Sequence, residues 1–127
     1  MDPNLWGPKG WYFIHSIALA YPDNATDKQK EKYKTFFLTL GDVLPCPVCQ
    51  GHYKENVNEK DLDRALKSKK FLFNWTVNIH NKINVLNDKP VLSHQEALQR
   101  MYNEKYSFDY KWIIIIILVL ILIRRRS

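Results

Sequence analysis

The run Leu44-Pro45-Cys46-Pro47-Val48-Cys49 constrains this chain more than any other part of it. Pro45 breaks a helix, because it lacks a backbone N–H and its ring clashes with the preceding turn. Pro47 suits the first turn of a new helix, where the missing N–H would have had no partner. The two prolines therefore end one helix and open another, and both cysteines fall at a helix N-terminus. There the helix dipole and free backbone donors favour a thiolate, and the C-x-x-C spacing lets two sulfurs come within bonding distance. Three chemistries use such a pair: a thioredoxin-type exchanger, half of a zinc site, and the disulfide of a thiol oxidase. A thioredoxin fold needs strands around the motif, and the flanks here read as helices. Zinc needs two further ligands, and His52 with His80 or His94 could supply them. Spacing alone leaves zinc and oxidase both open.

The rest of the chain carries helical signals only. Gly10 to Ala20 is apolar at nearly every position and stops at Tyr21-Pro22, which predicts a buried first helix. Thr26-Asp27-Lys28-Gln29 has the form of a capping box and opens a second helix from about Asp27 toward Val43. Within it Tyr33, Phe36, Phe37 and Leu40 recur at three- and four-residue spacing, opposite Lys30, Glu31 and Lys34. Beyond a polar connection rich in Asn and Lys, Phe71 to Leu86 sets Leu72, Trp75, Ile79, Ile83 and Leu86 on one stripe. Ser93-His94-Gln95-Glu96 is a second capping box, opening a last helix through about Tyr106. No stretch alternates with period two and nothing repeats. The expected class is all-α, a four-helix bundle with a short fifth helix.

Charge and cysteine count remove other classes. The net charge of +6 includes Arg124, Arg125 and Arg126, so the body carries only about +3, a weak footprint for nucleic acid, and no nucleic-acid motif is present. Two cysteines are too few for a stapled secreted miniprotein, and Met1 to Gly10 lacks the apolar run of a signal peptide. With 46% hydrophobic and 25% charged residues, 127 residues make one folding unit with its own core.

Trp112 to Ile123 is wholly apolar and as a helix would span about 18 Å, against a bilayer core of roughly 30 Å. It follows a bundle that reads as complete. Lys111 and the three arginines suit snorkelling, and Tyr110 and Trp112 suit an interfacial belt. The expectation is a domain over 1–107 and a hydrophobic C-terminal membrane anchor with a basic end over 108–127, the mismatch absorbed by bilayer thinning.

Four blocks in order carry a family resemblance: Trp6-Gly7-Pro8-Lys9-Gly10-Trp11 leading to His15; Tyr21-Pro22; Leu44-Pro45-Cys46-Pro47-Val48-Cys49; and Trp75 with His80-Asn81-Lys82-Ile83-Asn84 and Lys89-Pro90. Together, from about Leu5 to Tyr102, the chain resembles the Erv/ALR family of FAD-linked sulfhydryl oxidases. It looks most like the small members encoded by large cytoplasmic DNA viruses. The family's H-N-x-V-N is met as H-N-K-I-N. Its L-G-K-P is met loosely by Leu86-Asn87-Asp88-Lys89-Pro90.

The resemblance implies a redox-active disulfide at Cys46–Cys49, with FAD held in the bundle. Cys46 would be the outer sulfur attacked by substrate thiolate and Cys49 the one facing the flavin. Oxygen would be the final acceptor and hydrogen peroxide the product. It implies cofactor contacts from Gly7, Lys9, Gly10, Trp11, His15, Trp75, Val77, His80, Asn81, Asn84 and Lys89, with Arg100 and Lys82 as further candidates. No metal is expected on this reading. The residues themselves add that Trp11 and His15, and His80 and Asn84, are each one helical turn apart and can line one side of a planar group. A helix this apolar should not aim a histidine and two asparagines inward unless something polar satisfies them, and a nucleotide would. Tyr12 and Tyr102 read as core. The family's additional shuttle disulfide has no counterpart here, so a thiol-containing protein or a redoxin must deliver electrons directly. A non-covalent homodimer, and location at a host-cell membrane and in the virion, are also implied. The readings from other classes are a zinc-binding helical module and a membrane-anchored scaffold.

Overall fold

The computed structural model describes the backbone of residues 1–126 and the side chains of residues 1–103 and 112–124. It contains helices α1 (Pro3–Leu19), α2 (Asp27–Val43), α3 (Pro47–Asn56), α4 (Glu59–Ala65), α5 (Lys69–Leu86) and α6 (His94–Arg126), and among the described residues no strand. The chain forms two compact units, Met1–His94 and Gln95–Ser127.

In the first unit α5 is the central helix, packed against α1, α3 and α4, while α2 packs on α3 and α4. The expected stripe of α5 explains this position. Leu72, Trp75 and Ile79 are buried, joined by Phe73, Thr76 and Val77, so the helix is enclosed on more than one side. The stripe weakens toward its end, where Ile83 is half-buried and Leu86 is exposed. Full burial of a side chain such as Leu72 or Phe37 contributes about 1.5–3 kcal/mol. Phe37 of α2 meets Trp75 of α5 edge to face at 5.2 Å.

Local chemistry sets the boundaries. Thr26 and Gln29 form the expected capping box at the start of α2. Ser68 caps α5 by accepting from the Phe71 N–H. Gly41 permits the close approach of α2 to α3: a Cβ there would lie 2.9 Å from the Lys54 side chain and 3.0 Å from the Tyr53 ring. Buried Tyr53 donates to the Phe37 carbonyl at 3.0 Å, and buried Tyr21 donates to the Leu66 carbonyl at 2.7 Å. These two phenols tie α3 to α2 and the end of α1 to the end of α4.

The structure corrects two boundaries. The first helix begins at Pro3 rather than near Gly10, capped by the Asp2 carboxylate on the Asn4 N–H, with Pro8 accommodated inside it. The polar connection before Phe71 contains α4, whose Asn58 side chain accepts from the Asp61 N–H. Lys34 of α2 reaches Glu59 at 2.7 Å and Asp63 at 2.8 Å on α4. The described residues therefore hold six helices rather than the five expected, α4 being the one the sequence reading did not place.

Helix α6 starts at His94, where the second capping box placed it, but runs on as one helix to Arg126 rather than ending near Tyr106. Trp112 to Ile123 are exposed along it. Among the described residues no helix is long and apolar enough to cross a membrane. The side chains of Tyr110, Lys111, Arg125 and Arg126, expected to flank the apolar run, lie outside the described residues.

Candidate functional site

Cys46 is the N-cap of α3 and is bonded to Cys49, with their Cα atoms 5.1 Å apart. Its backbone is extended (φ −154°), and its Sγ accepts the Cys49 N–H at 3.3 Å, so a sulfur takes the place of the usual capping oxygen. The Leu44 carbonyl accepts from the Cys46 N–H and from the Gln50 side chain, both at 2.8 Å, which fixes the entry to the motif. Both cysteines are half-buried, while Val43 and Val48 beside them are 74% and 65% exposed. The disulfide can be reached by a macromolecular thiol, and the helix N-terminus stabilises the thiolate released when it opens.

A second cluster lies between α1 and α5. Trp11 stacks on His80 with ring centroids 4.1 Å apart and planes 6° from parallel. His15 is buried, its Nε2 lies 3.0 Å from His80 Nδ1, and its Nδ1 lies 2.9 Å from Thr76 Oγ1. Thr76 in turn donates to the Phe73 carbonyl at 2.7 Å. Burial lowers the His15 pKa from 6.5 to about 4. Burial, then repulsion from His15 and Lys89, lowers His80 to about 4 as well. Both rings are neutral at pH 7.

The two asparagines of the H-N-K-I-N block are satisfied by the chain itself. Asn81 exchanges two hydrogen bonds with the Leu92 backbone, at 2.7 and 3.0 Å, and Asn84 donates to the Pro90 carbonyl at 3.2 Å. They hold the segment after α5 against that helix. Asp88 takes a left-handed backbone (φ 51°), which Asp tolerates better than most residues, and the Lys89 N–H then bonds the Asn84 carbonyl at 2.8 Å. The turn brings Lys89 Nζ to 3.5 Å from Asn4 Oδ1, on the side of His80. Both asparagines are half-buried, and loop carbonyls and an N–H supply partners to them.

The model of the Erv1 / Alr family matches residues 8–106. The chain belongs to the Erv1/Alr family. It is 38% identical over 119 residues to a protein of Acanthamoeba polyphaga mimivirus described as a probable FAD-linked sulfhydryl oxidase, covering 91% of this chain and 83% of that one. It is 31% identical over 89 residues to the mitochondrial FAD-linked sulfhydryl oxidase ERV1 of Saccharomyces cerevisiae, over 70% of this chain and 46% of the relative. The crystal structure of the FAD binding domain of Erv1 from Saccharomyces cerevisiae superposes with a TM-score of 0.72 at 27% identity, over 81% of this chain and 96% of that one.

Against the Erv1/Alr pattern, the structure brings Trp11, His15, His80 and Lys89 together and places the cysteines on α3, a separate neighbour of α5. Val77 is buried on α5. Gly10 is held by packing, since a Cβ there would lie 3.0 Å from the Trp6 ring, whereas a Cβ on Gly7 would meet nothing within 4 Å. Lys9 is exposed, and Arg100 belongs to the second unit. Trp75, Asn81 and Lys82 line an open cavity of about 760 Å³ with Arg64, Asn78 and His94, a lining that includes neither His80 nor the cysteines. Tyr12 and Tyr102 are exposed rather than core.

Sequence reasoning missed Thr76 and the donor of Trp6, whose Nε1 is buried with no hydrogen-bond partner among the described residues. A threonine among apolar neighbours, one turn before His80, was the available signal for the first. The cysteines are bonded to each other, and among the described residues no three of His, Cys, Asp or Glu gather as a metal site. His52 is half-buried and exposed His94 meets Asn78 at 2.7 Å, so neither completes the zinc set that spacing allowed.

Proposed function

We propose that this chain is an FAD-dependent sulfhydryl oxidase, which makes disulfides in protein dithiols with oxygen as final acceptor (2 R–SH + O2 → R–S–S–R + H2O2). The observation that carries the reading is the half-buried Cys46–Cys49 disulfide at the start of α3, within an Erv1/Alr fold. A substrate thiolate attacks Cys46 Sγ, forming a mixed disulfide and releasing Cys49 as a thiolate. A second substrate thiolate attacks the substrate sulfur of that mixed disulfide, so the substrate leaves oxidised and both cysteines are reduced. The N-terminal dipole of α3 stabilises the anionic sulfurs.

The residues between α1 and α5 fit a flavin nucleotide. Among the described residues the buried Trp6 N–H is an unmet donor, the Trp11–His80 stack offers flat surface, and Lys89 brings positive charge suited to phosphate. Trp11, His80 and Lys89 would hold FAD, with Asn81 and Asn84 fixing the turn that carries Lys89. When bound, FAD supplies the two-electron acceptor chemistry and the reaction with oxygen that gives peroxide.

The oxidase domain spans 1–107, supported by a family match that ends at residue 106. Residues 108–127 serve as a C-terminal anchor: the exposed apolar run from Trp112 to Ile123 is too short to span unaided and seats in a membrane with its basic end at the headgroups. Relatives from large DNA viruses support a viral setting, at a host membrane and in the virion. Exposed Leu5, Tyr12 and Phe13 on α1 support a non-covalent homodimer, since both cysteines are already committed. The substrate is a thiol-containing protein or redoxin, reaching the disulfide past Val43 and Val48.

The test is the purified full chain in detergent. The expected result is a flavin absorption spectrum and oxygen consumption that depends on a dithiol, with one peroxide formed per disulfide. A colourless protein that consumes no oxygen even with added FAD would overturn the reading.

A further inference from the structure

The hydrogen bonds around His15 determine where the protons lie. The Phe73 carbonyl only accepts, so the single Thr76 hydroxyl proton is committed to it at 2.7 Å. The Thr76 oxygen, 2.9 Å from His15 Nδ1, is then left as an acceptor, and His15 Nδ1 must carry the ring proton. A neutral imidazole protonated at Nδ1 has a bare Nε2. That bare Nε2 lies 3.0 Å from His80 Nδ1, which must therefore donate, leaving His80 Nε2 as a lone pair. Among the described residues His80 Nε2 has no hydrogen-bond partner, and His80 is only half-buried. Stacking on Trp11 fixes the plane in which that lone pair lies.

We propose that Thr76, acting through His15, holds His80 in its Nδ1–H tautomer so that His80 Nε2 accepts a hydrogen bond from a hydroxyl or amino group of bound FAD. Thr76 and His15 are positioning residues in this scheme, and His80 touches the cofactor. The proposal rests on the flavoprotein reading and adds a direction to it: the protein accepts and the nucleotide donates. Without the Thr76 oxygen, the His15 proton has no acceptor at Nδ1 and moves to Nε2. It then donates to His80 Nδ1, and the His80 proton is displaced to Nε2, where a donor would face a donor.

The experiment uses the full-length chain labelled with 15N-histidine, with and without FAD. Two-bond proton–nitrogen spectra read each ring's tautomer directly. The expected result is Nδ1–H for both His15 and His80 in the wild type and in Thr76→Ser. In Thr76→Val, His80 should shift to Nε2–H and FAD should bind about tenfold more weakly, the loss expected of one hydrogen bond. A wild-type His80 protonated at Nε2 overturns the proposal. So does a Thr76→Val variant that unfolds at lower temperature while both tautomers and the FAD affinity stay unchanged, which is what a merely structural threonine would give. A chain that takes up no FAD overturns the flavoprotein reading and the proposal with it. FAD uptake with unmoved tautomers overturns the proposal alone.

Discussion

The disulfide end and the histidine cluster are both packed on α5, yet they are built on opposite principles. At the disulfide the chain leaves apolar side chains in water beside two half-buried sulfurs, and rigidity comes from two prolines and a carbonyl that accepts twice. At the cluster the polar groups form an ordered sequence from Phe73 through Thr76 and His15 to His80, with only the last ring partly open. A site that must meet many proteins has to be accessible, whereas a site that keeps one small molecule has to be pre-arranged. On the proposed reading, substrate access and cofactor retention fall to different neighbours of one helix and can be damaged separately.

Cys49→Ser should break the comparison most sharply: oxygen consumption with a dithiol falls to background, while flavin content per chain is unchanged. Normal oxygen consumption by that variant would remove the disulfide from the reaction. Acid should act on the other end. The folded pKa values of His15 and His80 are lowered to about 4 from 6.5, so between those limits the unfolded chain binds protons that the folded chain refuses. Stability from this cluster is therefore fully present above about pH 6.5 and is lost as pH falls toward 4. As pH falls from 7 to 4 the unfolding temperature should drop while flavin release rises, and flat profiles would contradict the buried neutral pair.

His80→Ala should weaken FAD binding about tenfold or more while leaving the unfolding temperature near that of the wild type when FAD is in excess. Full flavin occupancy in that variant at limiting FAD would show the cofactor face to be elsewhere, with the cavity lined by Trp75, Asn81 and Lys82 the next place to look. The smallest effect on turnover should come from ending the chain before Tyr110. That form should leave the membrane fraction in flotation and stay flavin-loaded and active, and loss of flavin would make the apolar run part of the domain.

Much of this was legible because it depends on neighbours in sequence. Pro45 and Pro47 act through their own backbone, so the start of α3 and the position of Cys46 at its cap followed directly. The box at Thr26 fixed α2 at both its nature and its start. The start of α1 was not legible, since Pro3 at the first turn and the Asp2 cap outweigh the helix-breaking tendency of Pro8. Charged α4 shows no apolar period because it is seven residues long and buries only Leu62 and Ala65. The site divided along the same line. Trp11, His15 and His80 announce themselves by helical spacing, but Thr76 matters through a bond to a residue 61 positions away. Asn81 and Asn84 are half-buried, and their partners lie in a loop that spacing cannot reveal.

The disulfide at the start of α3 also bears on how the protein comes into being. Its two sulfurs are all the cysteine sulfur the chain has, and they stand three positions apart. Within these 127 residues only one intramolecular pairing exists, so this pair has no mispaired alternative among them. Closing so small a loop adds little to the fold's stability compared with a long-range bridge, which leaves the pair free to open and close while the helices around it stay folded. A catalyst that supplies bridges to other proteins thus depends on none for its own architecture.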